Sequence, residues 1–117
     1  MNFIKYYIQN NILMIEFEIA SLDLMSMSRI KADLELLYKE IDTNDIIKTI
    51  LDFKQVKYID SSGVGILLGI KKNIPMDIFI KNASHNVQEV LKLASLDKMF
   101  VFDKNKKSNL SVAFFVN

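Results

Sequence analysis

Cysteine is absent from this chain. That excludes disulfides, thiol nucleophiles and thiolate metal sites together, and it fits a reducing compartment. Histidine occurs once, at His85, so no imidazole cluster is available to hold a metal. No metal or other cofactor is expected. Proline also occurs once, at Pro75, and glycine only three times. So little punctuation leaves no room for a Pro- or Gly-rich linker, and no internal repeat is visible. Charge of one sign is not in excess: the formal net charge is +1. The lysines are dispersed, apart from Lys104, Lys106 and Lys107. Nucleic-acid binding, which asks for a basic patch or stripe, is not expected. No apolar run approaches about 18 residues, so membrane insertion is not expected. The N-terminus lacks the apolar core and small-residue cleavage site of a signal peptide. The expected location is the cytoplasm.

What is present suits one globular domain over residues 1–117. Phe3 to Gln9 is aromatic and β-branched. Asn10-Asn11 follows, and Ile12 to Ile19 alternates through Met14, Glu16 and Glu18. This reads as two strands joined by an Asn hairpin, with part of the sheet facing water. Ala20 to Met25 reads as a connection. From Ser26 to Asp42 the period changes: Met27, Ile30, Leu34, Leu37 and Ile41 fall at helical spacing, with Arg29, Lys31, Asp33, Glu35 and Lys39 elsewhere. Ile46 to Phe53 reads as a central strand. A second helix is expected from Ser62 to Asn73, stopped by Pro75. Met76 to Lys81 reads as a strand. Ser84 is a natural cap for a third helix to Ala94, with Val87, Val90, Leu91 and Ala94 inward. Lys98 to Phe102 reads as a fifth short strand, and Ser108 to Asn117 fits helix or strand equally. Strands alternating with helices imply parallel pairs with right-handed crossovers. The expectation is an α/β sandwich: a mixed, mostly parallel sheet of about five strands, an N-terminal hairpin, and helices mainly on one face.

The chemistry concentrates in Asp60-Ser61-Ser62-Gly63-Val64-Gly65, where a strand gives way to a helix. Ser61 or Ser62 is placed to cap that helix. Its start offers unpaired backbone N–H groups and the positive end of a dipole, a natural place for a covalent phosphate. Gly63 and Gly65 are poor helix formers, each costing up to about 1 kcal/mol relative to Ala. Two compensations are open. Either they let another molecule approach the serines, or they let the helix pack closely on the sheet. Val64, Ile66, Leu67, Leu68 and Ile70 cover more of the helix than one core stripe needs. A nucleophile elbow or a phosphate loop would need its glycines, or a lysine, elsewhere. Spacing alone leaves open a Ser61–His85 hydrolase, and it does not bring Asp23 and Asp60 together.

The run Tyr58-Ile59-Asp60-Ser61-Ser62-Gly63-Val64-Gly65-Ile66-Leu67 resembles the signature of STAS domains, the anti-sigma factor antagonists of bacteria. Leu22-Asp23, Leu51-Asp52 and the stretch Leu91 to Phe102 extend the likeness over nearly the whole chain. The resemblance implies a STAS-like sandwich without enzymatic activity. It implies that Ser61 is phosphorylated by an anti-sigma factor with serine-kinase activity and restored by a PP2C-type phosphatase. The unphosphorylated form would bind the anti-sigma factor and release a sigma factor. Asp23, Asp60, Ser61, Ser62, Gly63 and Val64 would form the partner-binding surface. The same resemblance allows a non-phosphorylated scaffold subunit of a signalling or lipid-transport assembly. The chain departs from the family pattern at Ile19-Ala20-Ser21 and at Ala94-Ser95-Leu96, where a glycine is usual.

Overall fold

The computed structural model describes residues 2–102; the ambiguous stretch from Ser108 to Asn117 lies outside them. The hairpin forms as expected. Strand β1 (Ile4–Gln9) pairs antiparallel with β2 (Ile12–Phe17). Asn10 and Asn11 take φ of 55° and 65°. Both central residues of such a tight turn need positive φ, and Asn tolerates it better than most residues.

A two-residue strand, β3 (Ser21–Leu22), then precedes α1 (Leu24–Glu40). Strand β4 (Lys48–Asp52) follows, then the short β5 (Tyr58–Ile59) and α2 (Ser61–Asn73). Strand β6 (Ile78–Lys81), α3 (His85–Leu93) and β7 (Val101–Phe102) complete the described elements. The main sheet has the order β1-β2-β4-β6-β7, parallel from β2 onward. Each parallel step moves the same way across the sheet, so right-handed crossovers gather α1, α2 and α3 on one face. That is the mixed, mostly parallel α/β architecture expected from the sequence.

The covered face supplies Leu13, Ile15, Phe17, Leu51, Ile78 and Ile80 to the core. The helices meet it with Ile30, Leu34, Leu37, Leu67, Ile70 and Leu91. Each such side chain, fully buried, is worth about 1.5–3 kcal/mol. Phe17 and Phe53 meet edge to face at 5.3 Å. On the other face the register places Tyr7, Met14, Ile50, Phe79 and Val101 in one cross-strand row. Lys5, Glu16, Asp52 and Lys81 make the neighbouring row.

Several boundaries differ from expectation. Helix α1 starts two residues earlier than expected because Asp23 caps it: the carboxylate accepts from the Ser26 amide at 3.1 Å while Ser26 Oγ accepts from the Asp23 amide at 3.2 Å. This reciprocal box satisfies two orphan donors. Asp33, expected among the solvent-facing charges, is only 9% exposed. Its carboxylate accepts the Phe3 amide at 2.9 Å and faces Arg29 at 3.6 Å, fastening the N-terminal strand to α1. Ser84 caps α3 as expected, through the Val87 amide. Val87 and Leu91 are buried, but Val90 is half-buried and Ala94 exposed, so the inward face is narrower than expected. Ser95 takes the left-handed position, φ 63°, that a glycine would fill more easily.

Candidate functional site

Two short strands build the site. β3 and β5 pair in parallel, Ser21 with Tyr58 and Leu22 with Ile59, apart from the main sheet. The amides of Lys57 and Tyr58 both reach the Ala20 carbonyl, at 2.7 and 3.1 Å. Upstream, Asp52 turns the chain out of β4. Its carboxylate accepts the Lys54 amide at 2.9 Å and the Asn82 side-chain amide at 3.0 Å. The Leu51-Asp52 pair thus acts locally, as a buried leucine in the central strand followed by an acceptor that starts the loop. Because each short strand runs directly into a helix, their pairing sets the N-termini of α1 and α2 side by side.

Aspartates cap both helices. Asp23 caps α1, and Asp60 caps α2, where the expected cap was Ser61 or Ser62. The reason is the backbone. Asp60 is extended, φ −118° and ψ −167°, which aims its carboxylate along the helix axis. Oδ1 accepts from the Ser62 amide at 2.8 Å and the Gly63 amide at 3.2 Å. A charged acceptor at the positive end of a helix dipole makes a stronger cap than a hydroxyl. The Asp60 carbonyl closes the turn by accepting from Val64 at 3.0 Å. The other carboxylate oxygen, Oδ2, accepts from the Leu24 amide of α1 at 3.3 Å. The two aspartates that sequence spacing left apart are therefore neighbours across one joint.

With Asp60 as cap, Ser61 becomes the first helical residue. It is exposed, and among the described residues its hydroxyl and amide have no hydrogen-bond partner. Ser62 is half-buried and gives its amide to the cap. Val64 is half-buried against the core. The glycines divide between the two compensations left open by the sequence. A Cβ on Gly63 would lie 2.3 Å from the Leu22 carbonyl oxygen and 2.5 Å from Ile59 Cγ1. Gly63 therefore serves packing: it lets α2 sit directly on β3 and β5. A Cβ on Gly65 would meet nothing within 4 Å. Gly65 stands on the open face of the helix, one turn from Ser61.

Helical spacing puts Ser61, Gly65, Leu68 and Lys72 on that face, and all four are exposed. Ile66, Leu67 and Ile70 are buried, so only Leu68, 40% exposed, carries the surplus apolar character into solvent. Three further apolar residues stand beside the joint: Leu24 is 66% exposed, Met25 90% and Tyr58 55%. Sequence reasoning missed these three. The signal for the first two was the capping box, since Asp23 with Ser26 three residues on marks a helix start and places Leu24-Met25 in its exposed first turn.

His85 is not joined to Ser61. Its ring is 3.9 Å from Glu89 on its own helix, and among the described residues no hydrogen bond or ion pair links it to the serine. No helix among the described residues is long and apolar enough to cross a membrane.

The architecture has solved counterparts. An anti-sigma factor antagonist (STAS) domain protein from Planctomyces limnophilus matches with a TM-score of 0.76 and 18% identity, over 97% of this chain and 98% of that one. The Bacillus cell fate determinant SpoIIAA in its phosphorylated form gives 0.60 and 17%, over 97% and 99%. A sulfate transporter family protein from Wolinella succinogenes gives 0.63 and 15%, over 95% and 93%. At these identities the likeness is one of fold. The sequence model of the STAS domain family, however, matches residues 4–110. Over that span the chain belongs to the STAS domain family.

Proposed function

We propose that this protein is an anti-sigma factor antagonist in which Ser61 is the phosphorylated residue and the joined entrances of α1 and α2 are the docking surface. The observation that carries this reading is the placement of Ser61. It stands exposed and unpartnered at the first position of α2, directly after the aspartate that joins α2 to α1, and exposed Leu24, Met25 and Tyr58 flank the same joint. A kinase needs a hydroxyl that it can approach, and the bare Gly65 one turn along leaves that approach open. A partner needs apolar surface to bury, and these side chains supply it.

The switch follows from electrostatics. Phosphorylation adds about −1.5 to −2 charge and three acceptor oxygens. On the free protein the phosphate would sit in water at the positive end of α2, so the fold tolerates it. In the complex the same group would be pressed against a partner. Burying an unpaired anion costs several kcal/mol, which is a loss of roughly hundreds-fold in affinity. The anti-sigma factor with serine-kinase activity would write the mark, and a PP2C-type phosphatase would erase it. The chain itself would do no chemistry, and the cytoplasm is where such partners would meet it.

The test is direct. The protein is incubated with the serine-kinase anti-sigma factor of its own cell and ATP, and its intact mass is measured. One phosphate should be added to the parent and none to Ser61→Ala, which should still bind the anti-sigma factor. Phosphate on Ser61→Ala would assign the mark to another residue. No phosphate on the parent, with stable co-purification in a larger assembly, would favour the scaffold reading instead.

A further inference from the structure

The carboxylate of Asp60 is divided between two helices. Oδ1 holds the first turn of α2 through Ser62 and Gly63, and Oδ2 holds the first residue of α1 through the Leu24 amide. We infer that Asp60 is a positioning residue that couples the charge on residue 61 to the pose of Leu24 and Met25.

The frame beneath this contact is closely packed. Leu22 pairs with Ile59, the Asp60 amide donates to the Leu22 carbonyl at 3.2 Å, and Gly63 lies against the same carbonyl. The α1 turn beyond Leu24 has its own cap, because Asp23 holds the Ser26 amide. The Leu24 amide is left outside that box and depends on Asp60. Its side chain and that of Met25 are largely in solvent, 66% and 90% exposed, so no burial holds them.

A dianion on Ser61 would be covalently next to Asp60 and would repel its carboxylate. The two oxygens are not equally held. Both oxygens face the start of a helix, but Oδ1 has two donors, at 2.8 and 3.2 Å. Oδ2 has one donor, at 3.3 Å. The Oδ2 contact is the weaker and yields first. Losing it frees the Leu24 amide and loosens the apolar pair that opens α1. A partner then meets two changes, a new charge and displaced anchors. This inference rests on the reading of Ser61 as the modified residue, but its test does not need the kinase.

Phosphoserine is placed at position 61 during translation, in the full chain, and amide exchange is followed by NMR. The Leu24 amide should exchange about fivefold to tenfold faster than in the unmodified protein, the scale expected for losing an exposed bond to a charged acceptor. The Ser26 amide, held by Asp23, should be unchanged. In Asp60→Asn the amide nitrogen replacing Oδ2 cannot accept, while the remaining oxygen still caps α2. That variant should show fast Leu24 exchange without phosphate and no further change with it. Unaltered Leu24 exchange on phosphoserine in the Asp60 protein would overturn the inference, whether or not Asp60→Asn folds. So would an equal phosphate effect in Asp60→Asn. If the kinase leaves Ser61 untouched while installed phosphoserine frees Leu24, the coupling stands and the assigned mark fails.

Discussion

Replacing Gly63 with alanine is the sharpest test of how the joint is built. The added methyl would lie 2.3 Å from the Leu22 carbonyl oxygen, 2.5 Å from Ile59 Cγ1 and 2.9 Å from Leu22 Cβ. None of these neighbours can step aside cheaply. Leu22 is fully buried and Ile59 is 3% exposed, and they are paired to each other. Helix α2 must move outward by about 1 Å to restore ordinary contact. Overpacking of this kind costs about 1–3 kcal/mol. The shift also strains the Asp60 amide bond to the Leu22 carbonyl, worth about 1 kcal/mol. Alanine's better helix propensity returns about 1 kcal/mol. The net loss is about 2 kcal/mol, or roughly 8 °C in Tm for a chain of 117 residues. Gly65→Ala provides the matched control, since it gains the same propensity term and its methyl meets nothing within 4 Å. It should stabilise by up to about 1 kcal/mol. Urea unfolding of both variants beside the parent reads the difference as a shift in midpoint at constant slope. If Gly63→Ala is as stable as the parent, or if both variants move together, the packing account of Gly63 is wrong. If the proposed docking face is used, Gly65→Ala should meanwhile weaken binding of the proposed anti-sigma factor partner, because its methyl stands on that face.

Other positions give independent checks. Ser95→Gly removes a left-handed serine at φ 63° and should stabilise by about 0.5–1 kcal/mol, read from the midpoint in the same assay. Asp33→Ala leaves the Phe3 amide without its acceptor and should cost about 1–3 kcal/mol, with faster hydrogen exchange at Phe3 than at strand centres. Tyr38 has its phenol pushed up to about 12 by burial, with the Glu35 carboxylate adding repulsion. The Tyr6 phenol, which donates to the Glu40 carboxylate, is raised as well, so the check is a difference titration: ultraviolet absorbance should show a phenol step near pH 12 that is lost in Tyr38→Phe. Because the folded value lies above the ordinary 10, its contribution to stability is complete below pH 10 and is lost as pH rises toward 12.

The large elements were legible because they are long and periodic. The hairpin turn, the apolar stripe of α1, the apolar β4 and the Ser84 cap all follow from spacing and turn chemistry. Their order dictated a mostly parallel sheet with helices on one side. What could not be read were contacts between segments distant in sequence. β3 and β5 have two residues each, too few for any period, and they exist as strands only because they pair with each other. The burial of Asp33 is the same kind of fact: an aspartate on an amphipathic helix reads as solvent-facing until the amide of Phe3, thirty residues away, arrives at its carboxylate. The missing glycine at Ala94-Ser95-Leu96 is visible in the sequence. That a serine accepts the left-handed backbone there needed the structure.

In the motif itself the four residues divide labour in a way that composition hides. Asp60 is the cap, and so the serine after it is pushed to the first helical position and out into solvent. Had Ser61 been the cap, its hydroxyl would be engaged with the backbone and poorly placed to be modified. Ser62 gives its amide to the cap, and Gly63 removes the side chain that would hold α2 off β3. The exposure of Ser61 is thus a consequence of its neighbours. One residue on either side is committed to the helix start, and the serine between them is left free. The same arrangement argues that Asp60→Ala should do more than uncap a helix. It removes the acceptor of α2 and the tether of Leu24 together. Losing a cap costs about 1 kcal/mol. Calorimetry with the proposed anti-sigma factor partner should therefore show a binding loss larger than a Ser62→Ala control, whose hydroxyl holds nothing that the cap needs.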